Sequence, residues 1–289
     1  MQITVFTPTY NRASLLPALY QSLCRQIFSD FEWLIVDDGS EDDTEKVVGA
    51  FVEEHKIPVR YIRQENRGKH AAINLGADEA QGELFFIVDS DDSLPRNSLE
   101  IIDCFYSQIA NDVSFGGVCG YMSHHDGTVI GRGNEDEILD ASSVDLRYKY
   151  NVVGDMAEVF RTEVIRKFPF PVIQGEKFCP EVLIWNRISK EYRLRVFKQV
   201  IYYRDYLQGG LTSKMTEIRM KSPIASMMCY AEMNVLDIPF KDKLKAAVNY
   251  WRFWFCSKAG DKPKIGKSWR WIKFFGWLMY KRDLSQCKK

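Results

Sequence analysis

The first 125 residues alternate between short apolar runs and segments of helical spacing, and this alternation constrains the fold more than any other feature. ITVFTP, FEWLIVDDG, PVRYIRQ and ELFFIVDS are apolar and rich in β-branched or aromatic residues, which is typical of strands. Between them, segments such as SLLPALYQSLCRQ and KHAAINLGADEAQG carry the spacing or the composition of helices. Strands that alternate with helices indicate an α/β fold, with a mainly parallel sheet covered by helices on both faces. Asn11 or Ser14 is expected to cap the first helix.

The composition is that of an ordinary globular protein of 289 residues, with 46% hydrophobic and 27% charged residues. Seven cysteines lie far apart without a CxxC pair, which argues against a disulfide framework or a zinc site and favours a reducing compartment. No signal peptide and no membrane-spanning run is visible, so a cytoplasmic location is expected.

Polar residues follow each of the four predicted strands. Ligands of open parallel sheets bind outside the carboxyl ends of the strands, so these residues are the candidates for a binding site. In chain order they are Thr7, Pro8, Tyr10, Asn11 and Arg12, then Asp37, Asp38 and Gly39, then Arg63, Asn66, Arg67, Gly68 and Lys69, and finally Asp89, Asp91 and Asp92.

The sequence DSDD places Asp89, Asp91 and Asp92 directly after an apolar strand. Ionised carboxylates crowded at one strand end are tolerated when a divalent cation neutralises them, and Mg²⁺ or Mn²⁺ prefers such oxygen ligands. The alternative is that one aspartate caps the next helix and the others are solvated. The second acidic turn, VDDGS, on the same predicted edge favours the metal site.

The motifs TPTYNR, VDDGS, ENRGKHAAINLG and VDSDD, in this order, resemble those of the family 2 glycosyltransferases. The resemblance is close over residues 1–110 and weaker up to about residue 215. It implies the Rossmann-like GT-A fold and an inverting transfer of a sugar from a nucleoside diphosphate donor, often UDP-linked. The expected acceptor is a glycan or a lipid-linked saccharide, as in bacterial surface polysaccharide assembly.

The resemblance also implies roles for residues at the strand ends. Those expected at the nucleotide are Thr7, Pro8 and Tyr10 beside the base, Asp38 in a hydrogen bond to it, Arg12, Arg67 and Lys69 nearby, and Asp89 near the ribose. Asp91 is expected to bind Mn²⁺ or Mg²⁺. Asp89 or Asp92 could join the metal's shell, and Asp92 could instead orient the sugar.

An inverting displacement needs a base that takes the proton of the acceptor hydroxyl. Glu181, after Pro180 at a predicted helix start, is the candidate, although the family's usual acidic pair is reduced here by Val182 to one carboxylate. A helix-start glutamate can also simply interact with the helix dipole. Asp155 is the reserve candidate.

A later segment, YYRDYLQGGLTSK, resembles the family's loop near the diphosphate. Its last three residues, Thr212, Ser213 and Lys214, are the candidates for phosphate contacts. His70, His124 and His125 are expected to be solvated loop residues and not metal ligands.

Charge divides the chain near residue 240. Residues 241–289 hold 14 Lys/Arg against 3 Asp/Glu, whereas residues 1–240 hold 25 against 36. We predict a GT-A domain over 1–215, with a nucleotide-binding half (1–110) and an acceptor-binding half (111–215), and a helical extension over 216–289.

The segment KSWRWIKFFGWLMYKR, residues 267–282, combines basic and aromatic residues, and at helical spacing Trp271, Phe275, Leu278 and Met279 share one face. Such a helix can lie peripherally on an anionic membrane, here the cytoplasmic face, or its aromatic residues can pack on the catalytic domain. The acidic first 240 residues disfavour nucleic acid as a partner.

One alternative remains for the whole chain: a nucleotide-sugar-binding scaffold protein without catalysis. A receiver-like module is disfavoured because it has about half this length and lacks TPTYNR and DSDD.

Overall fold

The computed structural model describes residues 1–132, 136–204 and 214–286. The chain forms two compact units, Met1–Pro169 with Arg187–Asp205, and Phe170–Asn186 with Tyr206–Lys289. The predicted domain boundary differs from this division because it groups residues 170–186 with the residues before them.

The first unit is built on a mixed sheet, which has eight strands within the described ranges and the order β3-β2-β1-β4-β7-β5-β8-β6. β1, β2, β3 and β4 are mutually parallel, β5 and β8 pair in parallel, and β6 and β7 pair antiparallel to their neighbours. This confirms the predicted α/β fold with a mainly parallel sheet. The strands are β1 (Ile3–Thr9), β2 (Phe31–Asp37), β3 (Val59–Arg63), β4 (Leu84–Ile87), β5 (Phe115–Ser123), β6 (Ile138–Ala141), β7 (Met156–Arg161) and β8 (Arg193–Tyr203).

The described helices alternate with the strands at first and then continue alone. In chain order they are α1 (Leu16–Cys24), α2 (Thr44–Glu54), α3 (Lys69–Glu79), α4 (Ser98–Ser107), α5 (Ser143–Tyr148), α6 (Thr162–Lys167), α7 (Val182–Ile188), α8 (Met215–Lys221), α9 (Pro223–Met233), α10 (Phe240–Trp254), a 3-10 helix (Lys267–Ile272) and α11 (Lys273–Gln286).

Helices cover both faces of the parallel part of the sheet. On one face, Tyr20 of α1 stacks on Phe51 of α2 at 4.1 Å between ring centroids, and both rings lie near Trp33 of β2. On the other, Phe6 of β1 stacks on Phe85 at 4.9 Å and meets α3 at Gly76. Each of these side chains is buried, which favours folding by roughly 1.5–3 kcal/mol apiece.

The parallel strands end together at one edge of the sheet. Thr9, Asp37 and Arg63 are register partners across β1, β2 and β3. The backbone N–H of Val88, just after β4, donates to the carbonyl oxygen of Phe6 at 2.8 Å. This edge is referred to below as the carboxyl edge.

The predicted cap of α1 is wrong. Neither Asn11 nor Ser14 caps the helix, which begins at Leu16 with Pro17 in its first turn and no side-chain cap. Asn11 has a positive φ of 53°, and its Oδ1 accepts the N–H of Glu41 at 2.8 Å. Its short polar side chain therefore joins the turns that follow β1 and β2.

The second unit has its own apolar core, which includes Met227, Ala247, Tyr250, Phe253 and Ile272. Among the described residues, no helix is long and apolar enough to cross a membrane.

The Glu176 carboxylate fixes the start of α9 in this unit. Its two oxygens accept the N–H groups of Ile224 at 2.7 Å and Ala225 at 2.9 Å. Burial raises the pKa of Glu176, although both amides favour its charged form. The segment 170–186 is thereby tied to the C-terminal helices of its own unit.

We predict that Gly76→Ala destabilises the protein by about 1–3 kcal/mol. A Cβ at Gly76 would lie 2.1 Å from the Phe6 ring, which is itself buried and stacked, so the ring must move. The matched control is Gly49→Ala in α2, where a Cβ meets nothing within 4 Å. That variant should be stabilised by about 0.5–1 kcal/mol through helix propensity. Urea unfolding measures both, and equal effects would contradict the packing at Gly76.

Candidate active site

The Asp38 carboxylate holds the loop that leads into α3. Its Oδ1 accepts hydrogen bonds from the Gln64 side-chain amide at 2.7 Å and the backbone N–H of Arg67 at 2.8 Å, and its Oδ2 accepts the N–H of Gly68 at 2.8 Å. Asp38 is only 4% exposed. Three donors therefore compensate its buried charge, and they fix the first turn of α3 at the carboxyl edge.

Its neighbour Asp37 closes the preceding turn. Asp37 accepts the N–H of Ser40 at 2.8 Å and the hydroxyl of Tyr61 at 2.6 Å. Gly39 has a φ of 82°, and a Cβ there would lie 3.1 Å from the backbone nitrogen of Asn66. The VDDGS motif thus brings two loops of the carboxyl edge into contact.

The three carboxylates of DSDD have three different partners. Lys69 Nζ of α3 lies 2.6 Å from Asp89 Oδ1, and Arg12 lies 3.7 Å from Asp91 Oδ2. The Tyr202 hydroxyl donates to Asp92 Oδ2 at 2.6 Å. Lys69, Arg12 and Tyr202 therefore compensate these carboxylates within the chain itself.

The same contacts separate the pKa values of two of these groups. Burial opposes the charge of Asp89, but the Lys69 ammonium, helped by Arg204 and Arg12, holds its pKa below the usual range. Burial raises the pKa of Asp92 to about 7, and the charges of Asp89 and Asp91 act in the same direction. Asp92 thus exchanges its proton near neutral pH.

Tyr202 of β8 and Arg204, just after this strand, belong to this cluster and were missed by the sequence analysis. The Tyr202 hydroxyl also accepts the backbone N–H of Asp89 at 3.0 Å. Arg204 lies close enough to Asp89 and Asp92 to favour their charged forms. The available signal was their alternate position at the end of an apolar strand, RLRVFKQVIYYR.

The other residues predicted at the nucleotide lie at or near the carboxyl edge in different environments. Thr7 is fully buried, and its hydroxyl accepts the indole N–H of Trp33 at 2.9 Å, so it faces the core. Pro8 is buried as well, whereas Tyr10 is 45% exposed and Arg67 is exposed. Their roles in binding stay predictions.

The candidate bases lie in different units. Asp155, in the first unit, pairs with Arg204 at 2.7 Å. Glu181, in the second unit, is half-buried at the start of α7, where its carbonyl oxygen accepts the N–H of Ile184 at 2.9 Å. Lys214 is exposed just before α8, and Thr212 and Ser213 lie outside the described residues.

The prediction of solvated histidines is wrong for His70. This residue is 2% exposed in the first turn of α3, and its Nδ1 has no hydrogen-bond partner among the described residues. Burial lowers the pKa of His70, with the nearby Asp38 acting against it. His124 is half-buried and His125 is exposed.

Comparison with known proteins agrees with this geometry. The profile of the family described as Glycosyl transferase family 2 matches residues 4–125. GalNAc(5)-diNAcBac-PP-undecaprenol beta-1,3-glucosyltransferase of Campylobacter jejuni is 27% identical over 218 residues, which cover 73% of this chain and 67% of that protein. Glycosyltransferase GlyG of Streptococcus pneumoniae is 35% identical over 123 residues, which cover 41% of this chain and 40% of that protein.

Solved structures match over most of the chain. TarS 1–349 of S. aureus in complex with UDP-GlcNAc gives a TM-score of 0.64 at 20% identity, covering 88% of this chain and 73% of that one. A mannosyltransferase from Pyrobaculum calidifontis in complex with GDP-Man and Mn²⁺ gives 0.58 at 19% identity, covering 98% and 75%. At these identities the likeness shows the fold.

Residues 4–125 belong to family 2 of the glycosyltransferases, and the chain has the GT-A fold. The match over residues 4–125 contains all four motifs of the carboxyl edge, from TPTYNR to DSDD.

The carboxylates of this domain suit a hard divalent cation that also binds water and phosphate. Within the described residues, no group of three His, Cys, Asp or Glu side chains could hold a metal. Mg²⁺ and Mn²⁺ do not need such a group, because they commonly take one or two carboxylates and complete their shell with water and phosphate. Asp91 suits this role, since its side chain is 30% exposed and its partner Arg12 is 3.7 Å away.

We predict that Asp92 makes folding stability depend on pH. Its folded pKa of about 7 lies above the ordinary 3.8, so the stability contributed by its proton is complete below pH 4 and is lost as the pH rises through 7. The slope for one proton is at most about 1.4 kcal/mol per pH unit. Asp92→Asn keeps an oxygen for Tyr202 but cannot ionise.

The measurement is urea unfolding between pH 5 and 8 in EDTA. The wild type should lose stability relative to Asp92→Asn over this range. Asp78→Asn, an exposed acid at the far end of α3, should keep the wild-type slope. Parallel slopes for wild type and Asp92→Asn would contradict the raised pKa.

Proposed function

We propose that this protein is an inverting, metal-dependent glycosyltransferase. It transfers a sugar from a nucleoside-diphosphate donor, UDP-linked, to a glycan or a lipid-linked saccharide in the assembly of bacterial surface polysaccharide. The observation that carries the proposal is the carboxyl edge, where the Asp38 turn and the DSDD carboxylates meet Lys69, Arg12 and Tyr202. The relatives support the donor and acceptor classes, because one acts on an undecaprenol-linked saccharide and another structure holds UDP-GlcNAc.

The donor would be held mainly through charge and exposed polar surface at this edge. Tyr10 offers an exposed ring for stacking on a base, beside the turn that Asp38 fixes. Lys69 and Arg12 point their cationic groups into the DSDD cluster, so a diphosphate bound there meets two cations. Arg67 adds a third at the start of α3.

Asp91 is proposed as the metal ligand, with Asp89 and Asp92 as further candidates. A bound Mn²⁺ or Mg²⁺ would neutralise the negative charge that grows on the diphosphate leaving group. Lys69 favours the charged form of Asp89. Burial raises the pKa of Asp92 to about 7, so Asp92 is partly protonated near neutral pH and can donate a hydrogen bond to a sugar hydroxyl or accept one from it.

Glu181 is proposed as the base that takes the proton from the acceptor hydroxyl, and Asp155 stays in reserve. The support for Glu181 is its half-buried position at a helix start, on the segment that Glu176 ties down within its unit. Asp155 accepts a charge-assisted hydrogen bond from Arg204 at 2.7 Å, so one of its oxygens is already engaged within the chain. Thr212, Ser213 and Lys214 remain proposed phosphate contacts.

The second candidate function is a nucleotide-sugar-binding scaffold that does not catalyse transfer. Both functions require the carboxyl edge, so donor binding cannot separate them. Incubation of wild-type protein with a panel of sugar nucleotides, Mn²⁺ and saccharide acceptors does separate them, because the enzyme releases the nucleoside diphosphate and the scaffold does not.

We predict that Asp91→Asn removes the metal dependence of donor binding. In the wild type, UDP with Mn²⁺ should raise the melting temperature more than UDP with EDTA. The variant should show the same small shift in both, because the amide is a much weaker ligand for a hard cation. Asp78→Asn is the matched control and should behave as wild type. A variant that keeps the full effect of Mn²⁺ would rule out Asp91 as the ligand.

We predict that Glu181→Gln slows transfer by roughly 10²- to 10⁴-fold and leaves the thermal shift caused by the donor unchanged. The amide has nearly the same size, so the helix start should survive. Asp155→Asn, measured in parallel, should lose much less activity. Wild-type turnover by Glu181→Gln together with a collapse in Asp155→Asn would transfer the role to Asp155.

A further inference from the structure

Helix α11 and the 3-10 helix before it pack against the second unit through one stripe of buried residues. A Cβ at Gly276 would lie 2.4 Å from the Cβ of Trp251, so α11 and α10 approach closely at this point. One turn before, Ile272 is buried in the core of the second unit. Near the other end, Asp283 is 1% exposed and accepts a hydrogen bond from Arg252. This stripe fixes which side of α11 faces the unit.

The remaining sides of the segment carry its large apolar residues outward. We call these residues the aromatic face: Trp271 (63% exposed), Phe274 (59%), Phe275 (50%), Leu278 (44%) and Trp277 (38%). Neighbouring rings touch one another, with Phe274 centroids 5.9 Å from Phe275 and 6.1 Å from Trp277. A contiguous apolar patch of this kind is uncommon on a monomeric soluble protein and marks an interaction site.

Positive charge surrounds this face. Lys267 and Arg270 are exposed before it, and Lys281 and Arg282 are exposed after it. The one acid between residues 267 and 286 is Asp283, which is buried against Arg252. No exposed carboxylate of this segment therefore offsets the four cations.

We propose that the aromatic face binds the surface of a bilayer that contains anionic phospholipid. Trp and Phe side chains partition into the interface between headgroups and acyl chains, and Lys and Arg beside them attract anionic headgroups. This inference goes beyond the proposed function and does not depend on it.

Two other occupants fit the same observations less well. A second copy of the chain would bring two sets of like charges together around the aromatic faces, which costs free energy. RNA would match the charges and the rings. Residues 1–240, however, hold 36 Asp/Glu against 25 Lys/Arg, and this negative surplus repels a polyanion. A bilayer also offers the aromatic rings an apolar layer of acyl chains, which a polynucleotide lacks.

The test is flotation of the full-length protein with vesicles of phosphatidylcholine alone and of phosphatidylcholine with phosphatidylglycerol. The protein should float with the anionic vesicles at 50 mM salt and much less at 500 mM salt, because salt screens the attraction. It should not float with the neutral vesicles. Equal flotation with both compositions, or flotation that ignores salt, would overturn the role of anionic lipid.

Two groups of variants separate the contributions. The aromatic variant combines Trp271→Ala, Phe274→Ala and Leu278→Ala. The basic variant combines Lys267→Gln, Arg270→Gln and Lys281→Gln, and should bind anionic vesicles on the order of 100-fold more weakly. The matched charge control combines Arg25→Gln, Lys46→Gln and Lys190→Gln, which are exposed in the first unit, and should keep wild-type binding.

An apolar control guards against a general loss of hydrophobicity. Val113→Ala and Val235→Ala remove exposed side chains elsewhere, 83% and 75% exposed, and should leave binding intact. All variants should keep the wild-type melting temperature within a few degrees, since the altered side chains are exposed. Vesicle binding by the aromatic variant at wild-type strength would overturn the proposal.

Fluorescence locates the contact. Lipids brominated on their acyl chains should quench the emission of the wild type with anionic vesicles. Replacing Trp271 and Trp277 by Phe should remove most of this quenching. Quenching that survives both replacements would place the insertion elsewhere.

Sedimentation without vesicles and a titration with single-stranded RNA test the other two occupants. Self-association or RNA binding that depends on the aromatic face, without vesicle binding, would assign the face to that occupant instead.

Discussion

The crowding of carboxylates at one edge of a parallel sheet is the constraint on which the rest of the first unit depends. Parallel strands must end at the same edge. Five aspartates lie at or just after such ends: Asp37, Asp38, Asp89, Asp91 and Asp92. Because these carboxylates cannot move away from one another, each one is stabilised by its own partner or by a shift of its pKa. Backbone amides, a tyrosine hydroxyl, a lysine, an arginine and a raised pKa all serve this purpose. The positions of the loop before α3 and of the end of β8 follow from these contacts.

The same compensation suggests how a negatively charged donor would be accepted. Lys69 and Arg12 interact with carboxylates that the chain itself supplies, so their cationic groups are already oriented toward the carboxyl edge. A diphosphate that arrives alone would add to the crowding. One that arrives with a divalent cation brings roughly balanced charge, and preorganised cations then stabilise the leaving group at little reorganisation cost. In this proposal, the contacts that allow the chain to fold also prepare the site.

The sequence predicted the features that depend on neighbouring residues and missed those that depend on distant ones. The strand ends, the mainly parallel sheet and the family follow from periodicity and from motifs of a few residues. Tyr202 was missed because it meets Asp92 across 110 positions of the chain, and its place near the end of an apolar strand does not identify that partner. The failure at Asn11 has the same origin, since its partner Glu41 lies on another loop. The side chain of Thr7 faces Trp33 because alternation along β1 points it to the core. His70, in an ordinary helical segment, gives no sequence signal of its burial.

In α11, steric and electrostatic requirements decide together which residues face outward. Helical spacing alone grouped Trp271, Phe275, Leu278 and Met279 on one face without stating whether that face is buried. The structure leaves the first three exposed and Met279 half-buried. Close packing on α10 requires glycine at position 276. The ion pair between Asp283 and Arg252 requires that the same side of α11 face α10. When positions 276 and 283 face inward, the periodicity of 3.6 residues per turn places the bulky aromatic residues on the exposed side of the helix. Burying them instead would expose Gly276 and separate Asp283 from Arg252, leaving a buried charge without its partner, which is commonly costly by about 3–5 kcal/mol. The exposed aromatic face is therefore a consequence of how the second unit packs, and the surrounding lysines and arginines give that face its preference for an anionic surface.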